Sequence, residues 1–136
     1  MEKKQDWFYS ERVKKHFFSP KNFVDRKEEV KDYNGYGRVG NAKCGDIMEM
    51  WVLVKGGKIK KCRWRTFGCA SAIASTSVLS EMVTRNGGMK VGDALNIKPK
   101  DIADELGELP AIKFHCSVLG DQALREAIRD YRKRNK

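Results

Sequence analysis

Ile47-Met48-Glu49-Met50-Trp51-Val52-Leu53-Val54-Lys55, then Gly56-Gly57, then Lys58-Ile59-Lys60-Lys61-Cys62-Arg63-Trp64-Arg65-Thr66-Phe67 reads as a β-hairpin. Two strand-length runs flank a two-residue glycine turn, the shortest connection that reverses a strand. In the second run Cys62, Trp64 and Thr66 fall on one face while Lys61, Arg63 and Arg65 fall on the other. That alternation predicts a sheet with one covered face and one wet face. Cys62 is then a small buried apolar residue, the usual state of a free cysteine.

Outward from the hairpin, the rest of the chain reads mostly as helix. Trp7 to Phe18 carries Phe8, Val13 and Phe17 at roughly helical spacing and stops at Ser19-Pro20. Lys21 to Asn41 is polar and turn-rich, with Asn34-Gly35-Tyr36-Gly37 and Gly40, and is read as a loop or poorly paired segment. Residues 20–43 are therefore where mobility is expected. Cys69 to Arg85 is small and apolar, with a C-terminal stop at Asn86-Gly87-Gly88. A short helix over Val91 to Leu95 and another over Lys100 to Leu106, behind Pro99, come next. From His115 to Tyr131 one stripe holds Leu119, Ala123, Leu124, Ala127, Ile128 and Tyr131, an amphipathic closing helix. The order of elements predicts an α+β fold, a small antiparallel sheet of about three strands with helices packed on one face. Residues 1–136 are read as one domain.

Composition narrows the function classes. Hydrophobic residues make up 40% and charged residues 34% of 136, which suits a globular chain with a core of its own. No apolar run approaches the roughly 18 residues of a membrane span, so no membrane role is expected. Glu2 and Asp6 stand among the N-terminal lysines with no apolar stretch behind them, unlike a secretory signal or an acid-poor transit peptide. A cytoplasmic location follows as the expectation. There the four cysteines are reduced rather than bridged. The formal net charge of +10 raises nucleic acid as a partner, yet the cations run from Lys3 to Lys136 among acids and no nucleic-acid motif accompanies them. A solvated basic surface, or an acidic protein partner, is the preferred reading. The densest patches are Lys58 to Arg65 and Arg129 to Lys136, the second read as a frayed helix end.

Chemistry concentrates in three separated segments: Cys44-Gly45-Asp46, Cys69, and His115-Cys116. Cys44 and Asp46 are two apart, so in an extended segment both side chains leave the same side. Cys69 closes a strand and opens a helix, and His115-Cys116 opens another; helix N-termini lower thiol pKa values and favour thiolates and the anionic clusters they bind. No C-x-x-C pair is present, so a metal site here must be assembled by the fold. Taken singly, each residue also has a plain structural role: packing for a cysteine, a satisfied histidine for His115, an Asx turn for Asp46, an exposed cation for Lys113. A cysteine nucleophile paired with His16 or His115 is disfavoured, because adjacent residues on a helix point apart. The chain is read as a non-enzyme.

The strings Ala42-Lys43-Cys44-Gly45-Asp46, Thr66-Phe67-Gly68-Cys69-Ala70-Ser71-Ala72-Ile73-Ala74-Ser75 and Lys113-Phe114-His115-Cys116-Ser117-Val118-Leu119 closely resemble the IscU/NifU family of iron-sulfur cluster assembly scaffolds. The likeness runs from Tyr9-Ser10-Glu11-Arg12-Val13 through His16-Phe17-Phe18-Ser19-Pro20-Lys21-Asn22 to Asp130-Tyr131. Ile102-Ala103-Asp104-Glu105-Leu106 is similar to the N-terminal scaffold domain of NifU, here expected to stand alone. The interval from Cys69 to Cys116 leaves out the insertion typical of the zinc-bearing SufU branch. The resemblance implies that Cys44, Cys69 and Cys116 are the scaffold cysteines and the persulfide-accepting candidates. It adds Asp46 and His115 to the donor set and Lys113 beside it, while Cys62 matches nothing. It implies a transient [2Fe-2S] cluster built from iron and from sulfur delivered by a cysteine desulfurase, then passed to apo iron-sulfur acceptor proteins. It also implies an Hsp70-type chaperone reading a Leu-Pro-Pro-Val-Lys motif, which here is Leu109-Pro110-Ala111-Ile112-Lys113, with its second proline replaced. The alternative is a zinc-binding protein using the same Cys, Asp and His residues, since zinc accepts sulfur, nitrogen and oxygen donors. Zinc can also fill such a site in an apo preparation.

Overall fold

A computed structural model describes residues 11–41, 46–67, 70–106 and 114–134, with the side chains of 12–14, 17, 27, 41, 46, 70, 71, 106 and 114–119 outside that description. Among the described residues three strands, β1 (Gly35–Asn41), β2 (Asp46–Lys55) and β3 (Lys58–Thr66), pair antiparallel in the order β1-β2-β3. Among the described residues five α-helices accompany them: α1 (Glu11–Phe18), α2 (Ala70–Thr84), α3 (Val91–Ala94), α4 (Pro99–Leu106) and α5 (Phe114–Arg134). The arrangement is the expected α+β one, with α2 and α5 packed on one face of the sheet. The β2-β3 hairpin turns at Gly56 and Gly57, whose φ angles of 61° and 76° both need the left-handed region that glycine enters without strain.

Met48, Met50, Val52 and Val54 from β2 and Ile59, Cys62 and Trp64 from β3 point into the core formed with Leu79, Val83, Leu124 and Ile128 of the helices. Simple alternation does not hold along the whole of β3. Leu53 pairs with Lys61 but Val54 pairs with Ile59, so Lys60 is an extra residue, a β-bulge. Ile59 and Cys62 are consequently both buried, with Lys60 and Lys61 both exposed between them. α2 is buried almost all round from Ala72 to Ser80, as its small and apolar composition requires. Its buried hydroxyls bond back to the helix: Thr76 Oγ1 donates to Ala72 O and Ser80 Oγ to Ser77 O, each at 2.7 Å.

Lys21 to Asn41, read as a loop or poorly paired segment, meets the sheet at both ends, and its last seven residues form a full strand. Near its start, Val24 N–H donates to Trp64 O at 2.7 Å and Trp64 N–H to Asn22 O at 3.1 Å, a parallel bridge on the outer edge of β3. A 3-10 turn follows at Lys27–Val30, and the segment ends as β1 on the opposite edge of the sheet. β1 escaped notice because glycines are poor strand formers. They are required by packing: a Cβ on Gly35 would stand 2.6 Å from Ala127 O, and one on Gly37 2.5 Å from Ala127 N and closer still to Ala123 O. α5 thus lies backbone-to-backbone against β1.

The second face of the sheet is not simply wet either. Val24, Val30 and Trp51 form a small second cluster on it, flanked by Tyr33 and Tyr36. The closing helix also runs on through the basic tail to Arg134, held by an ion pair from Arg134 to Asp130 at 2.9 Å, where a frayed end was expected. Trp7 to Ser10 lie outside the described residues, so α1 is described only from Glu11.

Candidate functional site

Asp46 opens β2 directly opposite Asn41, the last residue of β1, so residues 42–45 join two neighbouring strands. β3 finishes at the same end: Thr66 pairs with Met48, Thr66 Oγ1 donates to Ile47 O at 2.7 Å, and Phe67 N–H donates to Ile47 O at 3.1 Å. α2 begins three residues beyond Phe67.

α5 meets this end as well. Gly35 faces Ala127 and Tyr131 while Gly37 faces Ala123, so the helix runs antiparallel to β1. Four strand residues from Gly37 to Asn41 advance about 13 Å, and nine helical residues from Ala123 back to Phe114 cover about 13 Å. The first turn of α5 therefore lies level with Asn41 and Asp46. A second contact agrees: a Cβ on Gly120 would stand 3.2 Å from Thr76 Oγ1, and each residue is six positions into its helix. The end of β1, the start of β2, the end of β3 and the start of α5 thus share one end of the sheet. The start of α5 is a helix N-terminus, where the aligned peptide dipoles favour negative charge.

Of the sequence-predicted donors, Cys44 and Cys69 lie outside the described residues, as does Lys113. Asp46, His115 and Cys116 are described as backbone, the first opening β2 and the others in the first turn of α5, with their side chains outside the description. Leu109 to Ile112 also fall outside it. Among the described residues no three His, Cys, Asp or Glu side chains gather where they could hold a metal ion, and no helix is long and apolar enough to cross a membrane. Cys62 is 1% exposed, and burial pushes its thiol up to about 12. It is a core residue.

Sequence reasoning missed the tie that holds α1 against α2. His16 Nδ1 bonds Ser77 Oγ at 2.7 Å, its Nε2 faces Glu81 Oε1 at 3.6 Å, and Ser77 Oγ also accepts the Lys21 N–H at 2.8 Å. Burial lowers the His16 pKa, with Glu81 opposing the shift. Nothing in the sequence pairs a histidine with a serine 61 residues away; only the helical folding of both segments does. A second unexpected group is Asp121 on α5, 1% exposed, with Oδ2 accepting from Arg125 at 2.7 Å and Oδ1 without a hydrogen-bond partner among the described residues. Burial raises its pKa, against the pull of Arg125.

An α+β domain in which the end of β1, the start of β2, the end of β3 and the first turn of α5 share one end of the sheet defines a class, and the chain belongs to the NifU-like N terminal domain family, whose model it matches over residues 8–136. It is 42% identical over 127 residues to an iron-sulfur cluster assembly scaffold protein IscU from Archaeoglobus fulgidus, a match covering 93% of this chain and 78% of that protein. The scaffold protein IscU of Aquifex aeolicus is 44% identical over 125 residues, with 90% and 75% covered. The nitrogen fixation protein NifU of a Nostoc species is 42% identical over 130 residues, covering 93% of this chain and 42% of the longer protein. Among solved structures, the N-terminal NifU-like protein of Brucella abortus superposes with a TM-score of 0.69 at 17% identity, covering 95% of this chain and 97% of that one. At that identity the likeness speaks for the fold alone.

Proposed function

We propose that this chain, as a single domain, is a scaffold on which a [2Fe-2S] cluster is assembled and then passed to apo-proteins. What supports the reading is that the elements flanking these residues share one end of the sheet: Asn41 and Asp46 on either side of Cys44, Phe67 and Ala70 on either side of Cys69, and the first turn of α5, to which His115 and Cys116 belong. Relatives named as iron-sulfur cluster assembly scaffolds, 42 to 44% identical, support it.

Iron and sulfide are the cargo. Cys44, Cys69 and Cys116 supply thiolates, the soft ligands that hold such clusters, and Asp46 or His115 completes the set. Asp46 brings a hard oxygen donor, a poor permanent ligand for a cluster and a fitting one for a cluster that must leave. Sulfur arrives as zero-valent persulfide sulfur from a cysteine desulfurase onto one of the three cysteines, and ferrous iron together with an external electron donor, a thiol or a reduced ferredoxin, reduces it to sulfide. Apo iron-sulfur proteins in the cytoplasm receive the product. An Hsp70-type chaperone would have to read Leu109-Pro110-Ala111-Ile112-Lys113 with alanine in place of the second proline.

The test is anaerobic incubation with ferrous iron, cysteine, a desulfurase and a thiol reductant, followed by absorption and Mössbauer spectroscopy, and then addition of apo-ferredoxin. The reading predicts the spectrum of a [2Fe-2S] cluster on this chain and its reappearance on the ferredoxin. Tightly held zinc that blocks iron uptake throughout would contradict it.

A further inference from the structure

The molecule carries a second feature that cluster chemistry does not use. On the outer face of the sheet a recess of about 340 Å3 is floored by Trp51 and walled by Tyr33 and Tyr36, with Lys31 and Arg134 at its rim. Tyr36 and Trp51 sit with ring centroids 5.3 Å apart. An adjoining recess of about 240 Å3 shares Tyr36 and is bounded by Arg38, Arg129 and Lys133, with Glu126 and Asp130. Arg134 closes α5, whose 21 residues place it about 30 Å from the first turn where His115 and Cys116 stand.

The charges here do not cancel. Glu126 is taken by Arg129, and Asp130 Oδ2 accepts both Arg134 and the Tyr36 backbone N–H. Lys31, Arg38 and Lys133 are exposed and have no hydrogen-bond or ion-pair partner for their side chains among the described residues. Three free cations thus stand around two partly exposed rings, Tyr33 and Tyr36, with Trp51 buried beneath them. Cations alone would suit any acid. The rings add a requirement for a flat π face next to the negative charge, and Tyr36, common to both recesses, puts the two requirements side by side.

We propose that the two recesses, which share Tyr36, bind a nucleoside phosphate, its base against Tyr33 and Tyr36 and its phosphates on Lys31, Arg38 and Lys133. Base stacking on aromatic side chains is tolerant of base identity, so the site reads the nucleotide class rather than one base. A volume of about 340 Å3 lies in the range of small-ligand sites, about 300 to 1,000 Å3.

Isothermal titration calorimetry on the full chain with ADP, adenosine and pyrophosphate tests this. ADP is expected to bind at least tenfold more tightly than either fragment, and to weaken as salt rises. The double variant Arg38→Glu with Lys133→Glu, both on the surface, should weaken ADP at least tenfold. Tyr33→Ala should bring ADP down to the level of pyrophosphate while Tyr33→Phe retains binding, and Lys58→Glu at the hairpin turn should leave it unchanged. Pyrophosphate binding as tightly as ADP, equal weakening by Lys58→Glu, or a single-stranded oligonucleotide binding tenfold more tightly than ADP would each overturn the assignment.

Discussion

The two faces of the sheet are built on different principles. The face under α2 and α5 is apolar packing: Met48, Met50, Val52, Ile59, Cys62 and Trp64 are all within 1% of full burial, and the polar exception among them is the Trp64 indole N–H, which donates to Lys21 O at 2.7 Å. The outer face is held by pairing. Glu49, 6% exposed, accepts from Tyr36 Oη at 2.6 Å and from Arg65 Nε and Nη2 at 3.1 and 2.7 Å, linking all three strands. Beside it Arg63 bonds Glu29 and the Phe23 carbonyl, pinning the segment before β1. Burial by shape tolerates similar shapes; burial by pairing fails when one partner goes.

The sharpest way to break the contrast is at Gly37, where shape leaves no slack. Gly37→Ala pushes a methyl into the backbone of α5, which cannot turn aside as a side chain could. A loss of about 3 kcal/mol or more is expected, read as a lower urea midpoint. A loss under about 1 kcal/mol would mean that α5 does not lie against β1 as described. On the outer face, Glu49→Ala strands Arg65 and Tyr36 and should cost about 2 to 3 kcal/mol. Removing Glu49 and Arg65 together should cost less than the sum of the single changes.

These two positions also mark what was legible in the sequence. The hairpin, the core side of β3 and the closing helix follow from periodicity, which burial enforces residue by residue. β1 was hidden because its glycines answer to α5, about 90 residues away in the chain. The bulge at Lys60 and the Glu49 network were hidden for a related reason, since register across strands leaves no local trace. The candidate donors were readable as strings and as helix starts. That their flanking elements share one end of the sheet was not, because without a C-x-x-C pair no spacing brings them together.

A smaller effect should come from the inner face. Cys62→Ser buries a hydroxyl in an apolar site, with an expected cost of about 1 to 2 kcal/mol, while Cys62→Ala should cost no more. The smallest concerns alkaline pH. Burial, with help from the Glu49 hydrogen bond, raises the Tyr36 pKa from 10.0 to about 12. A pKa raised in the folded state contributes stability that is complete below 10.0 and is lost as pH climbs towards 12. Glu49→Gln removes the charge that holds the phenol protonated, so this alkaline decline should shrink. A titration in which tyrosinate absorbance is unchanged by Glu49→Gln would contradict the outer-face network.

Reconstituting the parent, Cys62→Ala and the serine variants of Cys44, Cys69 and Cys116 under one anaerobic protocol, with fold checked by circular dichroism, tests the proposed division between core and donor cysteines most directly. The account predicts a cluster of parental yield and lifetime on Cys62→Ala, and lost or short-lived clusters on each of the three serine variants. A cluster lost with Cys62, or kept without any one of Cys44, Cys69 and Cys116, in a folded protein, would contradict it.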